Sequence, residues 1–468
     1  MLVNSTLHRG LVELVPADPG AVGMYVCGAT VQSEPHVGHG RYAVVFDMIR
    51  RYLIWKGYQV TYVRNITDID DKIIIAAAEA GEDVSARAER ISGIFSSSYR
   101  ALGVVEPDHE PKATEHIPEM LDLIARLIDG GLAYAARNGD VYFSVRSLES
   151  YGKLSGRRPD ELLSGARVEV SEEKNDPLDF ALWKAAKPGE PAWASPWGAG
   201  RPGWHIECSA MAIRYLGNDF AIHGGGNDLI FPHHENEIAQ SEGATGTAFA
   251  RFWLHNGMLN LGGEKMSKST GLLVDLQAAV GRFGGMSLRL FYLMAHYRSP
   301  LDYSEDLVTA ASIAYDRIKR LLVRAPRPRG VEPDPILMAR FVGAMDQDFA
   351  TPDALAAVFD AIAEANRQLD LGQEPGSLVA AIHEVLMVLG LEVEAESLDD
   401  IAQLVTEVGA EFGVDGGDPV EVVSRLMELR ATARAERDFV RSDLIRDRLT
   451  DAGIVLEDTS DGARWVRR

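Results

Sequence analysis

Residues 23 to 70 constrain the fold more than any other part of the chain. GMYVCGATV (23–31) reads as a buried strand. GHGRYAVVFDMIRRYLIWKG (38–57) then sets Val44, Val45, Met48, Ile49 and Leu53 at helical spacing, with Gly57 as its stop. YQVTYVRNITDID (58–70) begins as a second strand. Strand, turn, helix, strand is the opening of a doubly wound parallel sheet, so the fold class is α/β. Two later pieces, FAIHGGGNDLI (220–230) and ARFWLHNGMLNLGG (250–263), read as further strands ending in glycines. Between them, GRPGWHIECSAMAIRYLG (200–217) turns helical after Pro202-Gly203.

At 468 residues the chain exceeds one ordinary domain. The sheet domain is expected over 1–305, with an insertion at about 107–200 that holds a helix (PEMLDLIARLIDGG), short strands (GDVYFSV) and a run rich in proline and tryptophan. A helical bundle is expected over 306–391, an acidic linker over 392–419, and a C-terminal segment over 420–468 made of one long amphipathic helix and a small tail. From Gln368 to Ser424 there is no Lys or Arg, whereas arginine returns often after Arg425. The net charge of −22 excludes a generic basic nucleic-acid coat but leaves room for a local basic face. No apolar run reaches membrane-spanning length, the N-terminus lacks the layout of a secretion signal, and two cysteines without a pairing framework point to a reducing cytosol.

Three motifs carry chemistry. HVGH (36–39) lies where the first strand turns into its helix. A helix N-terminus, two imidazoles and Gly38, which lets backbone come close, suit a polyphosphate; two histidines in a surface turn are the plain alternative. GEKMSKSTG (263–271) is a glycine-bounded loop with two lysines, able to fold over a triphosphate and neutralise departing pyrophosphate; a solvated basic loop is its plain counterpart. FPHHENE (231–237) packs two histidines and two glutamates into seven residues. On a helix, His233 and Glu237, or equally His234 and Glu237, share a face, and spacing does not choose between them. Joined by Cys27 and Cys208, either pair suits tetrahedral zinc. Buried apolar cysteines beside a helix cap are the alternative.

HVGH after a first strand, with KMSKS some 230 residues later, resembles the paired signatures of class I aminoacyl-tRNA synthetases. The blocks YVCGATVQSEPHVGHGRYAVVFD, RNITDIDDKI, GWHIECSAM, FAIHGGGNDLIFPHHENEIAQSE, AHYRSPLDYS, QDFATPDALAAVF and FVRSDLIRDRL resemble the cysteinyl-tRNA synthetase family, in order and across essentially the whole chain. The resemblance implies a class I Rossmann-like doubly wound sheet with an inserted subdomain, then a helical bundle and a small C-terminal domain. It implies zinc on Cys27, Cys208, His233 and Glu237, where cysteine's thiolate binds the metal directly. A soft thiolate outcompetes a hydroxyl there by several kcal/mol, against ~1–3 for an apolar pocket, so no editing domain is needed.

The resemblance further assigns His36, His39, Lys265 and Lys268 to catalysis. It assigns Thr30, Thr67, Trp204, His223 and Asp228 to substrate binding, and Gly38, Gly224, Gly225, Gly226 and Lys268 to ATP, which enters with Mg²⁺. Asp68, Asp70 and Asp71 read as caps on the following helix rather than a magnesium cluster. Arg434, Arg437, Arg441, Arg446 and Arg448, on one helix, and Trp465 are the candidate tRNA contacts. Two positions depart from the family. Gly40 replaces a better helix former, weakening that helix by ~1 kcal/mol. Leu272 stands where an Asn usually follows KMSKS, which removes a side chain able to brace the loop.

The implied activity is a cytosolic, monomeric cysteine–tRNA ligase acting on tRNA(Cys), ATP and L-cysteine. One alternative is the cysteine ligase of mycothiol biosynthesis, which resembles the same family but lacks a C-terminal tRNA-binding extension and departs at the position of Glu237. The other is a non-catalytic tRNA-binding paralogue, which would have no physical need for both HVGH and KMSKS.

Overall fold

The computed structural model describes residues 1–158, 173–261, 264–265, 273–391, 393, 401–414, 418–459 and 462–467, the side chains of 264–265, 457–464 and 466–467 excepted. The chain divides into two units, Met1–Glu392 and Val393–Arg468. Among the described residues no helix is long and apolar enough to cross a membrane.

The centre of the first unit is a parallel sheet in the spatial order Ala250–Asn256, Phe220–Gly226, Ala21–Val26, Gln59–Arg64. The chain leaves Ala21–Val26 in one direction to form Gln59–Arg64 and later returns on the other side with Phe220–Gly226. The strand order therefore reverses between Ala21–Val26 and Phe220–Gly226, and the carboxyl ends of these two strands border the crevice where such sheets bind ligands.

The first crossover is the helix Val37–Trp55. Val44, Val45, Met48, Ile49 and Leu53 are buried, as their spacing predicts, but so are Tyr42, Ala43, Phe46 and Tyr52. The helix runs through the core rather than along its surface. Gly57 follows its C-cap at φ 94°, a left-handed conformation that ends it. Gly40 has a reason that helix propensity misses. A Cβ there would lie 2.9 Å from both Leu276 Cδ1 and the Tyr292 hydroxyl and 3.1 Å from Leu102 Cδ1. The missing side chain is what lets the helix seat against its neighbours.

The excursion from the sheet starts later than 107. His109 and Lys112 still pair in parallel with Val63 and Ile66 beyond the last strand, and the chain departs only afterwards. The helix Ile117–Asp129 buries Ile117, Met120, Leu123, Ile124 and Leu127 on one stripe. It is followed by an antiparallel sheet of Ala133–Ala135, Val141–Phe143, Phe180–Ala185 and Gly200–Pro202. Pro202 ends that sheet, and Gly203 opens the helix Trp204–Leu216 back in the main domain.

Helices Glu305–Arg324, Pro335–Met345, Thr351–Asp370 and Gly376–Leu389 form the bundle. It is fastened to the crossover helix by charge: buried Arg289 pairs with buried Asp47 and donates to the carbonyls of Leu389 (2.8 Å) and Leu102 (3.1 Å).

The second unit differs from expectation in two ways. Residues 402–411, within the expected acidic linker, form the helix Ala402–Glu411, because Val405 and Val408 supply an apolar face for that unit's core. The expected single C-terminal helix is two, Pro419–Ala435 and Phe439–Asp451, followed by the hairpin Ile454–Thr459 and Gly462–Arg467. Arg437 breaks the run at φ 64°, and Asp438 caps the new helix by accepting from the Arg441 N–H at 3.0 Å. The break lets Val422, Val423 and Leu426 face Ile445 and Leu449 in one core.

Candidate metal centre and active site

Three segments converge at the reversal of strand order. Cys27 follows Ala21–Val26 directly, and its N–H donates to the Gly224 carbonyl at 3.1 Å, which pins it beside the neighbouring strand. Cys208 lies one turn into the helix Trp204–Leu216. His233, His234 and Glu237 lie across the start of the helix Glu235–Thr245. All five, with His223 from Phe220–Gly226, are buried, and both cysteines are free thiols.

Glu237 is the hub. Its Oε1 accepts from the Cys27 thiol at 3.3 Å and lies 3.1 Å from His233 Nε2 and 3.8 Å from His234 Nε2. Its Oε2 meets His223 Nε2 at 2.9 Å. Two four-residue sets have all their donor atoms within 4.8 Å of one another: Cys27, Cys208, His233 and Glu237; and Cys27, His223, His234 and Glu237. The choice between His233 and His234 that spacing leaves open is thus also a choice between two overlapping cages.

The electrostatics of the cluster fit a divalent metal. Burial, followed by their mutual influence and Glu237, pushes the Cys27 thiol well up; burial likewise raises Cys208. Burial pushes His233 down to about 3. Burial also works against charge on Glu237, but His223 and His233 outweigh it and hold its carboxyl below the usual range. Two protonated thiols and the neutral His233 imidazole beside one carboxylate offer donor atoms for a cation, and a divalent metal among them would ionise the thiols. His233 is also oriented from behind: its Nδ1 lies 2.9 Å from His205 Nδ1. With its Nε2 lone pair turned to a metal, its Nδ1 keeps the proton and donates to His205, the usual outer-shell arrangement of a ligating imidazole.

HVGH caps the start of its own helix. His36 Nδ1 accepts from the Gly38 N–H, and His39 Nδ1 accepts from the His36 N–H, each at 3.1 Å. With Nδ1 as acceptor, each neutral ring carries its proton on Nε2. The expectation that backbone N–H groups of this helix end would bind phosphate needs correction. Val37 N–H donates to Val274 O, Gly38 N–H to His36 Nδ1, and His39 N–H to His36 O, so these backbone donors already have partners within the protein. A Cβ on Gly38 would lie 2.9 Å from the His36 ring, which is why glycine separates the pair.

Lys268 lies outside the described residues, as does the side chain of Lys265. The flanks of their loop are described. Glu264–Lys265 pairs with Asn260 and Leu261, while on the far side Leu276 N–H donates to Pro35 O at 3.0 Å and His36 bridges to Asp275. The second flank is therefore hydrogen-bonded directly to HVGH.

The other expected residues separate into groups. Thr30 and Thr67 pair across the extended strand ends, and Trp204 stacks within 4.2 Å of the His233 ring. Trp204 thus borders the metal cluster, and Thr67 reaches it through Asn65, which donates to the Thr67 hydroxyl at 3.3 Å and accepts from the Cys208 thiol at 3.6 Å. His223 is placed behind Glu237 rather than in an open pocket. Gly224 and Gly225 make room for protein, since a Cβ on them would meet the Phe46 ring at 2.4 Å and the His234 ring at 2.7 Å. Gly226 faces the Asp228 carboxylate, and Asp228 itself is exposed on the turn Asn227–Leu229. Asp70 caps the helix Asp71–Ala80, Asp71 pairs with Lys184 and Arg201, and Asp68 accepts from the Thr114 N–H at 3.0 Å, so the three acids point to different partners.

Of the five arginines, Arg434 ends one helix, Arg437 sits in the turn, and Arg441, Arg446 and Arg448 lie on the next. Arg446 pairs with Asp443 and Asp447, and Arg448 with Glu411. Trp465 packs against the core of its unit. Sequence reasoning missed His205, Glu207 and His255. His205 and Glu207 flank Cys208 in GWHIECS, and one helical turn would have brought them into view.

Residues 13–313 match the family described as tRNA synthetases class I (C) catalytic domain, and residues 340–394 match the DALR domain. The cysteine–tRNA ligase of Alkalilimnicola ehrlichii is 49% identical over 466 residues, covering 99% of each chain. That of Halorhodospira halophila is 50% identical over 470 residues, again covering 99% of each. Among solved structures, methionyl-tRNA synthetase of Mycobacterium tuberculosis with methionyl-adenylate gives a TM-score of 0.58 at 18% identity, covering 82% of this chain and 94% of that one. The Agrobacterium radiobacter LeuRS–tRNA–LeuAMS complex also gives 0.58, at 12% identity, covering 81% and 84%. The two structural likenesses carry the class I fold, and the two full-length sequence relationships carry the finer assignment: this chain belongs to the cysteine–tRNA ligase family of class I tRNA synthetases.

Proposed function

We propose that the chain activates L-cysteine with ATP·Mg²⁺ to cysteinyl-adenylate and transfers it to the 3′-terminal adenosine of tRNA(Cys), in the cytoplasm and as a monomer. The observation that carries this reading is the convergence of two thiols, an imidazole and a carboxylate at the strand-order reversal. We take Cys27, Cys208, His233 and Glu237 as the metal set. It uses both thiols, the soft donors zinc favours, and it leaves His223 to hold the second oxygen of Glu237. Zinc held there would supply a soft acceptor for the thiolate of cysteine, at which serine's hydroxyl is a poor ligand.

The chain's own groups do the rest. Trp204 walls the amino-acid site beside His233, and Thr30 and Thr67 line the strand ends. The Nε2–H groups of His36 and His39 donate to the phosphates as charge shifts toward pyrophosphate, and Lys265 and Lys268 neutralise that charge from the loop. No covalent enzyme intermediate is required; the protein aligns the cysteine carboxylate with the α-phosphorus. Arg434, Arg437 and Arg441 serve the tRNA backbone.

The test is ATP-dependent attachment of labelled cysteine to total tRNA, run beside the amino sugar that the mycothiol ligase uses as acceptor. Label on tRNA is expected. Label only on the sugar, or on neither, overturns the reading.

A further inference from the structure

Arg41 is a buried charge without a charged partner. It lies two residues past HVGH on the helix Val37–Trp55 and is wholly buried. No carboxylate pairs with it among the described residues. Its partners are main-chain carbonyls. Nη1 donates to those of Gly257 and Met258 at 2.9 Å each, and Nη2 donates to that of Ser299, with His296 and Tyr297 further out at 3.3 and 3.4 Å. Burying a guanidinium without a countercharge is costly. What the guanidinium supplies in return is a rigid planar fork of donors that holds several acceptors at fixed angles.

The carbonyls belong to two loops that meet. Gly257 and Met258 lead into the strand Leu259–Leu261, and His296–Ser299 leads toward Leu301–Tyr303. These two strands pair in parallel, and Leu259–Leu261 pairs on its other edge with Glu264–Lys265, where the KMSKS segment begins. The loops approach closely: Gly257 N–H donates to Tyr297 O at 2.7 Å, and a Cβ on Gly257 would lie 2.3 Å from Ser299 O. Only glycine permits that approach, which gathers the carbonyls around one guanidinium. The second loop is also held from the bundle, where the Tyr297 hydroxyl donates to Asp348 at 2.8 Å and Arg298 pairs with the same carboxylate. The carbonyls are therefore a fixed target, and the helix is what Arg41 places against them. The far flank of KMSKS is tied to HVGH by backbone hydrogen bonds; Arg41 ties the near flank.

We propose that Arg41 is a positioning residue for adenylate formation, setting HVGH at a fixed distance from the strands that lead into KMSKS so that both motifs meet one ATP. This rests on the proposed activation of cysteine. Buried on all sides, Arg41 acts through these groups and not on substrate. It keeps the imidazoles of one segment and the lysines of another in register on the phosphates, where a misplacement of about 1 Å costs roughly 10² in rate.

The experiment separates placement from stability. Cysteine-dependent ATP–pyrophosphate exchange is measured on zinc-loaded wild type and Arg41→Lys, with zinc content, melting temperature and calorimetric cysteine affinity checked on both. Lysine keeps the charge but offers a single point in place of the fork. Exchange kcat is expected to fall about 10²-fold, with cysteine affinity unchanged. The same substitution is then made in Lys265→Ala and in Trp204→Ala. The loss is expected to be largely absorbed in Lys265→Ala, where one of the two aligned motifs is already disabled, and kept in full in Trp204→Ala, which alters the amino-acid side. Arg41→Gln, which removes the buried charge, is expected to give the same pattern and carries the test if Arg41→Lys does not fold. Unchanged exchange, equal losses in both backgrounds, or a parallel fall in cysteine affinity overturns the assignment. Wild type without cysteine-dependent exchange overturns the proposed activity itself, a different outcome.

Discussion

The two overlapping metal cages make opposite predictions for Cys208 and His234. Cys208 belongs to one set only, and His234 to the other. A structural zinc site holds its ion with roughly 10–16 kcal/mol, so each of four ligands accounts for about 2.5–4 kcal/mol, or ~10²–10³ in affinity. Cys208→Ala should weaken zinc binding by that factor. His234→Gln should cost ~10–100-fold at most, as an outer-shell change, because His234 Nδ1 lies 2.7 Å from His255 Nε2 and its ring supports the cluster from the side. Chelator competition on the purified variants gives the affinities. Cobalt substitution gives an independent count of thiolates, since the sulfur-to-metal charge-transfer band should lose about half its intensity in Cys208→Ala if two sulfurs bind. If that band is unchanged in Cys208→Ala while His234→Gln abolishes binding, the metal sits among Cys27, His223, His234 and Glu237, and the assignment of His233 is wrong.

Further outcomes follow from the same geometry. Burial pushes His205 and His255 down to about 3, below their unfolded value of ~6.5, so both fold as neutral rings; stability is fully present above pH ~6.5 and falls toward pH 3 by up to about 1.4 kcal/mol per unit for each group. Urea unfolding of the metal-free protein should show this slope, and His255→Gln should reduce it. Gly40→Ala gains ~1 kcal/mol of helix propensity but drives a Cβ to 2.9 Å from Leu276 and Tyr292, an overpacking cost of about 1–3 kcal/mol. Its melting temperature should fall, and a rise would refute the packing argument. Arg441→Ala should weaken tRNA binding and lower the salt slope by ~1; Arg446→Ala, whose charge is already met by Asp443 and Asp447, should change both less.

The sequence by itself determined the class of the main domain, because burial on both faces of parallel strands and helical spacing between them are written locally, residue by residue. It also determined which residue types could meet a metal, since two cysteines and one His/Glu cluster left few donors to choose from. Matters of contact at long range stayed out of its reach. Spacing could not say that Gly40, Gly224 and Gly225 serve packing, because the atoms that crowd them belong to Leu276, Phe46 and His234, contributed by other segments. It could not divide the last helix in two, because the turn at Arg437 is set by a core shared between Val422 and Ile445. Nor could it find Glu207, whose carboxylate oxygens are buried without a hydrogen-bond partner of ordinary geometry among the described residues. Period and composition are properties of the chain, whereas satisfied and unsatisfied polar groups are properties of the space between its segments, and only the tertiary structure fills that space.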